Sequence, residues 1–422
     1  MTLAILELND QALVIQSQDG QSFTEPGFAQ LTATGIESGD NARATAWLKP
    51  QTSYNQYWRQ LNQLPLPKKQ QWARHHGDIA YSQIKHMLDK VGSPSNLILA
   101  VPGCFTDDQL ALILGLAQAI PVQVDGVIDS ALAIGLQVEQ PTLLVDLQLQ
   151  QSVVSLIKNT ADTTRVSAQE VIPDLGAMHL YNGVSRHISD RLISDYRHDP
   201  LHTSEGEQAI YDNLPKWLLQ LNWETEISVS LPSPRGELPV TLRNNDIRKI
   251  FEQRLAGLDA IIAKYPSAQV SFAHSARLLP ALLPRFSRSK VMAKTAAVDN
   301  CLVAEQQIVD SSSTLHRITR LTTANEENKK APPKQRCATH LLYKNYAWPL
   351  NRPLSIFIAD SGLIITKGIN NRADVVTVIE NQEVRVIHQS TAIDGNISNQ
   401  CEPGSEIMIA GHSLTLIEVS NA

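Results

Sequence analysis

The chain has 422 residues and a formal net charge of -6, with 43% apolar and 18% charged residues. This length predicts roughly two to four domains with substantial cores, and the composition is typical of a globular protein. Because general nucleic-acid binders are usually basic, the acidic balance argues against a nucleic-acid partner.

The cysteines and apolar runs exclude further classes. The four cysteines lie far apart and none forms a C-x-x-C pair, so we expect neither a zinc site nor a dense disulfide framework. No apolar run approaches the length of about 18 residues that a membrane-spanning helix needs. Polar residues interrupt the N-terminal apolar run too early for a signal peptide. We therefore expect a cytoplasmic protein with no integral membrane segment.

Predicted strands and helices alternate along the first three quarters of the chain. A strand is predicted at Leu3 to Leu8, and a buried strand lies within 96–103. Apolar residues three and four apart predict an amphipathic helix over 53–67 that ends before Pro65. Further helices are predicted within 77–92, 105–120, 177–196, 205–223 and 243–265, and a β-hairpin within 224–242. This alternation indicates an α/β domain.

The composition changes near residue 311. Residues 311–336 contain few large apolar side chains and collect Asn, Glu, Lys and Pro, which predicts a linker. Residues 337–422 contain short apolar runs separated by turn signals, so a small all-β domain is expected there. The predicted organisation is a first domain over 1–310, a linker over 311–336 and a β domain over 337–422.

One strand–Asp–turn–strand unit carries the main functional question. The segment Pro141 to Ile157 reads PTLLVDLQLQQSVVSLI, so an apolar strand ends near Asp146 and a second strand follows the turn. Such a unit can hold a nucleotide phosphate when backbone amides converge on it, which usually requires glycine in the turn. Here glutamine and leucine occupy the turn.

The order of these elements resembles the nucleotide-binding domain of the heat-shock-seventy chaperones, within the actin-like ATPase superfamily. The segment LILAVPGCFTDDQLALILGLAQAI is similar to a strand-to-helix segment of that family, and VDGVIDSALAIGL is similar to its first connecting helix. The resemblance runs in order through residues 1–310. It implies an α/β, actin-like (ribonuclease H-like) two-lobed ATPase fold followed by a small all-β domain.

The departures from the family fall on its phosphate-binding turns. The family's first phosphate turn has an aspartate and a small glycine-threonine hairpin, whereas this chain has Glu7, Asn9 and Asp10 there. In the second turn, Asp146 matches the family's aspartate, but Gln148 replaces a glycine. Asp146 is a candidate metal-side carboxylate or a residue that ends its strand, and we favour the second interpretation because its partners are missing.

Further departures affect the rest of the expected nucleotide site. Gly126 stands where the resemblance places a glutamate that arranges water and metal, while Gly176 matches a family glycine. The paired glycines of the adenosine motif are replaced by Ala273 and His274. His274 is either a general base or a structural histidine, and the structural role is the commoner one.

Three other features have alternative interpretations. Adjacent histidines in RHHGD suggest a metal ligand pair, but the sequence supplies no third ligand, and a helix start is favoured. Cys104 has no base nearby in sequence and is expected to be a buried thiol. The C-terminal segment resembles the last strands of forkhead-associated domains, with a turn at Asp394, Gly395 and Asn396 and later glycines at Gly404 and Gly411.

Three functional hypotheses follow. The first is a non-catalytic, chaperone-like scaffold that binds other proteins and uses no cofactor. The second is a divergent heat-shock-seventy-like ATPase that binds ATP and Mg²⁺. The third is a regulatory module whose C-terminal β domain binds a peptide. Phosphoryl transfer requires a metal, a positioned water and a phosphate cradle together, and the eroded turns favour the scaffold.

Overall fold

We describe the protein from a computed structural model. The structure describes residues 2–67, 71–160, 162–279, 285–286, 289–309, 315–322, 338–344, 346–350, 352–359, 362–370, 372–380, 383–389 and 406–417. The chain divides into two compact units, residues 1–323 and 324–422. Each unit is treated by itself.

The first unit is mixed α/β. Its strands are β1 (Leu3–Glu7), β2 (Leu13–Ser17), β3 (Ser22–Glu25), β4 (Ala29–Leu31), β5 (Ile36–Ser38), β6 (Ser53–Tyr54), β7 (Asn96–Val101), β8 (Gln123–Asp129), β9 (Thr142–Leu147), β10 (Ser152–Asn159), β11 (Thr163–Ile172), β12 (Glu226–Ser233), β13 (Gly236–Arg243), β14 (Gln269–Phe272), β15 (Lys290–Val291), β16 (Arg317–Ile318) and β17 (Arg320–Thr322). Its helices are α1 (Gly39–Arg43), α2 (His76–Lys90), α3 (Asp107–Ala119), α4 (Ser130–Ile134), α5 (Ala177–Tyr196), α6 (Ser204–Gln220), α7 (Asn244–Lys264), α8 (Ala296–Val303) and α9 (Glu305–Ile308).

Two six-stranded sheets with matching strand patterns form the framework of this unit. The first sheet has the order β16-β8-β7-β1-β2-β3, and the second has the order β15-β14-β9-β10-β11-β17. In each, three consecutive strands form an antiparallel meander, and two later strands add in parallel beside the meander's first strand. We call residues 2–134 the first half and residues 142–309 the second half. The first strands of the two meanders, β1 and β9, therefore occupy equivalent positions in the two halves.

Apolar packing holds the halves together. One core cluster joins the first sheet to α2 and α3, and another joins the second sheet to α5, α6 and α7. A third cluster includes residues of both sheets and of α4 and α8, among them Ile5, Leu132, Leu144 and Val298. Burying such a side chain fully contributes about 1.5–3 kcal/mol, so the third cluster alone accounts for a firm contact between the halves.

Several sequence predictions are confirmed. The helix predicted at 177–196 is α5, and the hairpin predicted within 224–242 is β12 and β13, joined by a two-residue turn. The helix predicted within 105–120 is α3, which begins with a capping box: the Thr106 hydroxyl accepts the Gln109 N–H and the Gln109 side chain accepts the Thr106 N–H. Local periodicity and capping chemistry were sufficient for these elements.

The helix predicted over 53–67 is wrong. Residues 53–54 form β6, and the rest of the segment is a series of turns. Its aromatic side chains are held by a distant helix: the Tyr57 hydroxyl and the Trp58 indole N–H, the latter at 2.7 Å, both donate to Gln83 of α2. These tertiary hydrogen bonds, rather than helical spacing, explain why both aromatic rings are buried.

Part of the predicted linker belongs to the first unit. Within 311–336 the structure describes residues 315–322, and these contribute β16 to the first sheet and β17 to the second. Apolar Ile318 and Leu321 pack on the cluster that joins the halves, which explains why this short stretch is ordered into strands. Residues 311–314 and 323–336 lie outside the described residues.

The second unit contains two antiparallel sheets. Its strands are β18 (His340–Tyr343), β19 (Tyr346–Pro349), β20 (Leu354–Ala359), β21 (Gly362–Lys367), β22 (Val375–Glu380), β23 (Glu383–Gln389), β24 (Glu406–Ile409) and β25 (His412–Ile417). The sheets have the orders β19-β18-β25-β24 and β21-β20-β22-β23 and share one apolar cluster. The described part of this unit contains no helix. Of the residues that carry the forkhead-associated resemblance, 394–396 and 404 lie outside the described residues, and Gly411 occupies the β24–β25 turn with a φ of 78°.

Candidate functional site

The β1–β2 turn and the β9–β10 turn meet at the boundary between the halves. Asn9 and Asp10 belong to the first turn, and Asp146 and Gln148 lie at the second; all four are buried. The Asn9 side-chain amide donates to the Asp146 carboxylate at 2.7 Å and to the Leu147 carbonyl at 3.3 Å. Thus Asp146, the candidate metal-side carboxylate, is held by an amide of the opposite half.

Asp10 binds the backbone of the opposite turn. Its carboxylate accepts the Leu149 N–H at 2.6 Å, and its own carbonyl accepts the Gly27 N–H at 2.7 Å. Leu149 lies in the turn where a phosphate cradle would need free amides. The Asp10 carboxylate therefore occupies this backbone amide from within the chain.

Further polar groups of the β9–β10 turn have internal partners. The Gln148 N–H donates to the Gln151 carbonyl at 2.8 Å, which closes the turn. The Gln151 side-chain amide lies 3.3 Å from the Cys104 sulfur and 3.2 Å from the Gln148 side-chain oxygen. The glutamine side chains thus occupy the space in front of the turn.

Gly176 lies against the same turn, at a point that has no space for a side chain. A Cβ atom at this position would lie 2.2 Å from the Gln150 carbonyl carbon and 2.4 Å from the Gln151 nitrogen. The first N–H groups of α5 donate to this turn, from Ala177 to the Gln148 carbonyl at 3.0 Å and from Met178 to the Leu149 carbonyl at 2.9 Å. The helix N-terminus, often an anion site, is therefore bonded to the chain's own carbonyls.

Gly126 lies away from this cluster. A Cβ atom on it would lie 2.6 Å from the Ile308 carbonyl oxygen of α9. Glycine is therefore needed here for close packing between β8 and α9, and the residue that lies at the cluster from this strand is Asp129, three positions further on.

Asp129 is the functional-site residue that the sequence analysis missed. It is fully buried at the end of β8, and its carboxylate accepts the Ala131 N–H of α4 and the Gln169 side-chain amide of β11, both at 2.9 Å. The second of these bonds again joins the two halves. An aspartate at a strand end directly before a helix is an N-cap pattern, and that pattern could have identified it.

Ala273 and His274 lie on the other side of β1 from the turn-to-turn contacts. With Glu7, Asn9 and Lys294 they line a small cavity of about 30 Å³, which has space for only about two water molecules.

The buried carboxylates perturb one another. Burial, followed by the nearby Asp146 charge, raises the pKa of Glu7 to about 8. Burial and the Asp10 charge raise the pKa of Asp146 to about 7, although hydrogen bonds from Gln148 and Asn9 oppose this shift. Burial raises the pKa of Asp10 to about 6, opposed by the Leu149 N–H and by Arg59. Burial also raises the pKa of Asp129. Desolvation is the leading cause in every case.

A larger cleft lies on the opposite side of the same turns. This open cleft has a volume of about 490 Å³ and is lined by polar and apolar side chains in similar proportion. The polar ones include Arg59, Thr106, Asp108, Gln148 and Gln151. Cys104 also lines it, but burial raises the pKa of that thiol to about 12, so the thiolate needed for nucleophilic chemistry is scarce at neutral pH.

The histidines of the RHHGD segment have structural roles. The His75 ring accepts the Asp78 N–H at 3.2 Å as the N-cap of α2, and His76 Nδ1 lies 3.0 Å from the Gln60 carbonyl. Over the described residues, no group of three or more His, Cys, Asp or Glu side chains is arranged to hold a metal ion. Of the helices within the described ranges, none has the length and apolar character needed to cross a membrane.

Comparison with known proteins gives no assignment. No protein-family model matches the chain, and no curated protein matches it.

Proposed function

We propose that the first unit is an actin-like domain that has lost nucleotide chemistry and serves as a scaffold for binding other proteins. The observation that carries this proposal is the direct hydrogen bonding between the two turns. Asn9 and Asp10 of one turn bind Asp146, Leu147 and Leu149 of the other, in the space where an actin-like ATPase would hold phosphate.

The actin-like part of the proposal rests on two supports. The two sheets repeat one strand pattern, with a three-strand meander followed by parallel strands beside its first strand. The sequence resemblance to the heat-shock-seventy nucleotide-binding domain runs through the same residues in the same order. A duplicated pattern of this kind is what an actin-like fold requires.

The non-catalytic part follows from what phosphoryl transfer needs. A nucleotide triphosphate must contact several backbone amides and a held metal ion at once. Here the Leu149 amide binds Asp10, the first amides of α5 bind turn carbonyls, and Asp146 binds Asn9. The small cavity beside Ala273 and His274 has a volume of about 30 Å³, whereas small-molecule sites typically have about 300–1,000 Å³.

One observation favours a second candidate, a divergent ATPase. Asp10 and Gln148 also line the open cleft, whose volume of about 490 Å³ is within the range of small-molecule sites. Two carboxylates, those of Asp10 and Asp108, line it. A nucleotide bound there would have altered contacts and would enter from the opposite side of the turns.

Calorimetric titration of the full chain with ATP and Mg²⁺ separates the two candidates. The scaffold proposal expects no heat of binding with ATP at concentrations up to about 1 mM, which corresponds to a binding free energy weaker than about -4 kcal/mol. Binding with a Kd near 10 µM or tighter (about -7 kcal/mol), or steady phosphate release above a protein-free control, would overturn it. A positive result should then be repeated with Gln151→Ala, which alters the open cleft, and with Ala273→Leu, which alters the small cavity.

A further inference from the structure

Residues around α1, in the first half, pack into the core of the second half. Phe28, Ala42 and Ala46 belong to the apolar cluster that joins the second sheet to α5, α6 and α7. Trp47 is partly buried and packs against the same cluster. The two halves are therefore attached at this place as well as at their turns.

One glutamine of α6 holds this contact through its side chain. Gln208 is buried, and its side-chain amide donates to the Arg43 carbonyl at 3.0 Å while its side-chain oxygen accepts the Trp47 N–H at 2.9 Å. The Trp47 ring stacks on Tyr211 of the same helix, with ring centroids 3.9 Å apart and planes 14° from parallel. We call Arg43, Trp47, Gln208 and Tyr211 the latch. A single buried side chain thus satisfies two backbone groups of the opposite half.

A short path of packed residues connects the latch to the bonded turns. The Asp10 carboxylate accepts the Leu149 N–H, and the Asp10 carbonyl accepts the Gly27 N–H. A Cβ atom on Gly27 would lie 2.9 Å from that carbonyl oxygen, so the two backbones are in close contact. The next residue, Phe28, lies against Trp47 with ring centroids 5.9 Å apart. A movement of the latch away from the second half therefore also displaces the residue that bonds to Leu149.

A different attachment, at the other edge of the first sheet, uses backbone pairing. β3, which leads to Phe28, is one edge strand of that sheet, and β16 is the other. β16 pairs with β8 of the first half, β17 pairs with β11 of the second half, and the Thr319 carbonyl between them accepts the Val166 N–H at 2.9 Å. Leu321 is buried in the third apolar cluster. Paired strands over a buried cluster resist separation more than a few side-chain contacts do, so the latch is the side that can open.

We propose that the first unit is hinged: the latch and the bonds between the two turns open together, while the third apolar cluster and the β16–β17 segment remain closed as the hinge. This inference goes beyond the proposed scaffold role, because it gives the first unit an open state that requires no nucleotide. The latch keeps that state rare, and in it the turn amides and carboxylates are accessible to water.

Two contacts that open in one step are coupled reciprocally. Weakening either contact then raises the open population, and exchange at the other contact increases as well. Contacts that open independently would respond only where the substitution is made. The distinction is therefore measured at the contact that the substitution does not touch.

Hydrogen exchange of the full chain, followed by mass spectrometry, tests the coupling from the latch. In Gln208→Ala two buried backbone groups lose their partner, so the Leu149 amide, in peptides over 147–152, should exchange at least about fivefold faster than in the parent. The Val166 amide at the hinge should keep its rate within about twofold. Gln118→Ala, on the exposed surface of α3, is the matched control and should leave both rates unchanged.

The reverse experiment starts from the turns. Asn9→Ala removes the bond to Asp146 and alters no latch residue. The Trp47 amide, in peptides over 44–49, should then exchange at least about fivefold faster, again with the Val166 rate unchanged. If Gln208→Ala does not fold, Trp47→Phe replaces it, since it reduces the stacking on Tyr211 and keeps the backbone groups of the latch.

Three results would overturn the hinge. The first is a smaller acceleration of Leu149 in the latch variant, which would show that the latch does not control the turns. The second is an equal acceleration of Val166 and Leu149, which would mean that the unit opens as a whole. The third is a smaller acceleration of Trp47 in Asn9→Ala. The samples contain no nucleotide, so failure of the hinge leaves the scaffold proposal intact.

Discussion

The small cavity and the open cleft border the same two turns, yet they differ in volume and in the burial of the side chains that line them. Glu7 and Asn9, at the small cavity of about 30 Å³, are buried, and the Asn9 amide bonds to Asp146 of the second half. Thr106 and Asp108, at the open cleft of about 490 Å³, are exposed. The comparison teaches that the buried bonds between the halves leave little free volume on one side of the turns, while Asp10 and Gln148 of the same turns also line the side that has space for a ligand.

The largest expected effect comes from Gly176, because its neighbour is backbone. In Gly176→Ala the new Cβ would lie 2.2 Å from the Gln150 carbonyl carbon, so the β9–β10 turn or the start of α5 must shift. We expect the free energy of unfolding to fall by more than about 3 kcal/mol, as is usual for strain that a packed core cannot relax. Urea denaturation of the full chain measures it.

A second glycine provides the matched control for that variant. A Cβ on Gly115, within α3, would contact nothing within 4 Å. Gly115→Ala should therefore raise the free energy of unfolding by up to about 1 kcal/mol through helix propensity. Equal effects for the two glycine variants would mean that the β9–β10 turn does not pack tightly against Gly176. The tightest backbone contact at the buried side of the turns would then be absent.

Removing the Asn9 amide should have the next largest effect. Asn9→Ala leaves the buried Asp146 carboxylate without its 2.7 Å donor, which should lower the free energy of unfolding by about 2 kcal/mol. Since the Asn9 bond opposes the upward shift in the pKa of Asp146, its loss raises that pKa above about 7. The variant should therefore be more destabilised at pH 8.5 than at pH 5.5, where Asp146 is protonated.

Denaturation at the two pH values checks this expectation. Asn41→Ala, on the exposed surface of α1, is the control and should change the free energy of unfolding by less than about 0.5 kcal/mol. An Asn9→Ala effect that is the same at pH 5.5 and pH 8.5 would show that the amide does not interact with an ionised Asp146.

Altering a residue of the open cleft should lower the free energy of unfolding by less. Thr106→Ala removes the N-cap hydroxyl of α3, and the expected loss is about 1 kcal/mol. Thr106→Ser keeps the hydroxyl and should be close to neutral. If Thr106→Ala lowered the free energy of unfolding as much as Asn9→Ala does, the buried bonds between the halves would contribute no more to stability than a cap at the exposed cleft.

The fold could be predicted from sequence where local patterns decide, and the site only in part. Local sequence pattern predicted both α5 and α3. The 53–67 segment was mispredicted because the Trp58 indole N–H donates a hydrogen bond to Gln83, which lies 25 positions away in the sequence. The resemblance pointed to Asp146 and Asp10, and on strand β8 to Gly126, whereas the β8 residue that bonds to the second half is Asp129. Bonds across more than 130 positions, such as Asn9 to Asp146, depend on how the two sheets pack, which no local pattern encodes.

The smallest change in the free energy of unfolding is expected from Asp146→Asn. This variant tests most directly whether the Asp146 carboxylate has a role other than its bond to Asn9. In a working ATPase this aspartate would be needed for chemistry, whereas here its carboxylate oxygen accepts the Asn9 amide, a bond that an asparagine oxygen can also accept. At pH 6 the parent Asp146, with a pKa of about 7, is already mainly protonated, so the neutral variant should differ in the free energy of unfolding by less than about 1 kcal/mol. At pH 8.5 the variant removes a charge beside Glu7 and should be the more stable protein.

Denaturation at both pH values measures this, and capture of any protein partner by the full chain should be equal for the parent and the variant. A folded Asp146→Asn protein that no longer captures that partner, or that loses an ATP-dependent activity of the parent, would show that the carboxylate has a role beyond its hydrogen bond to Asn9 and would contradict the scaffold proposal.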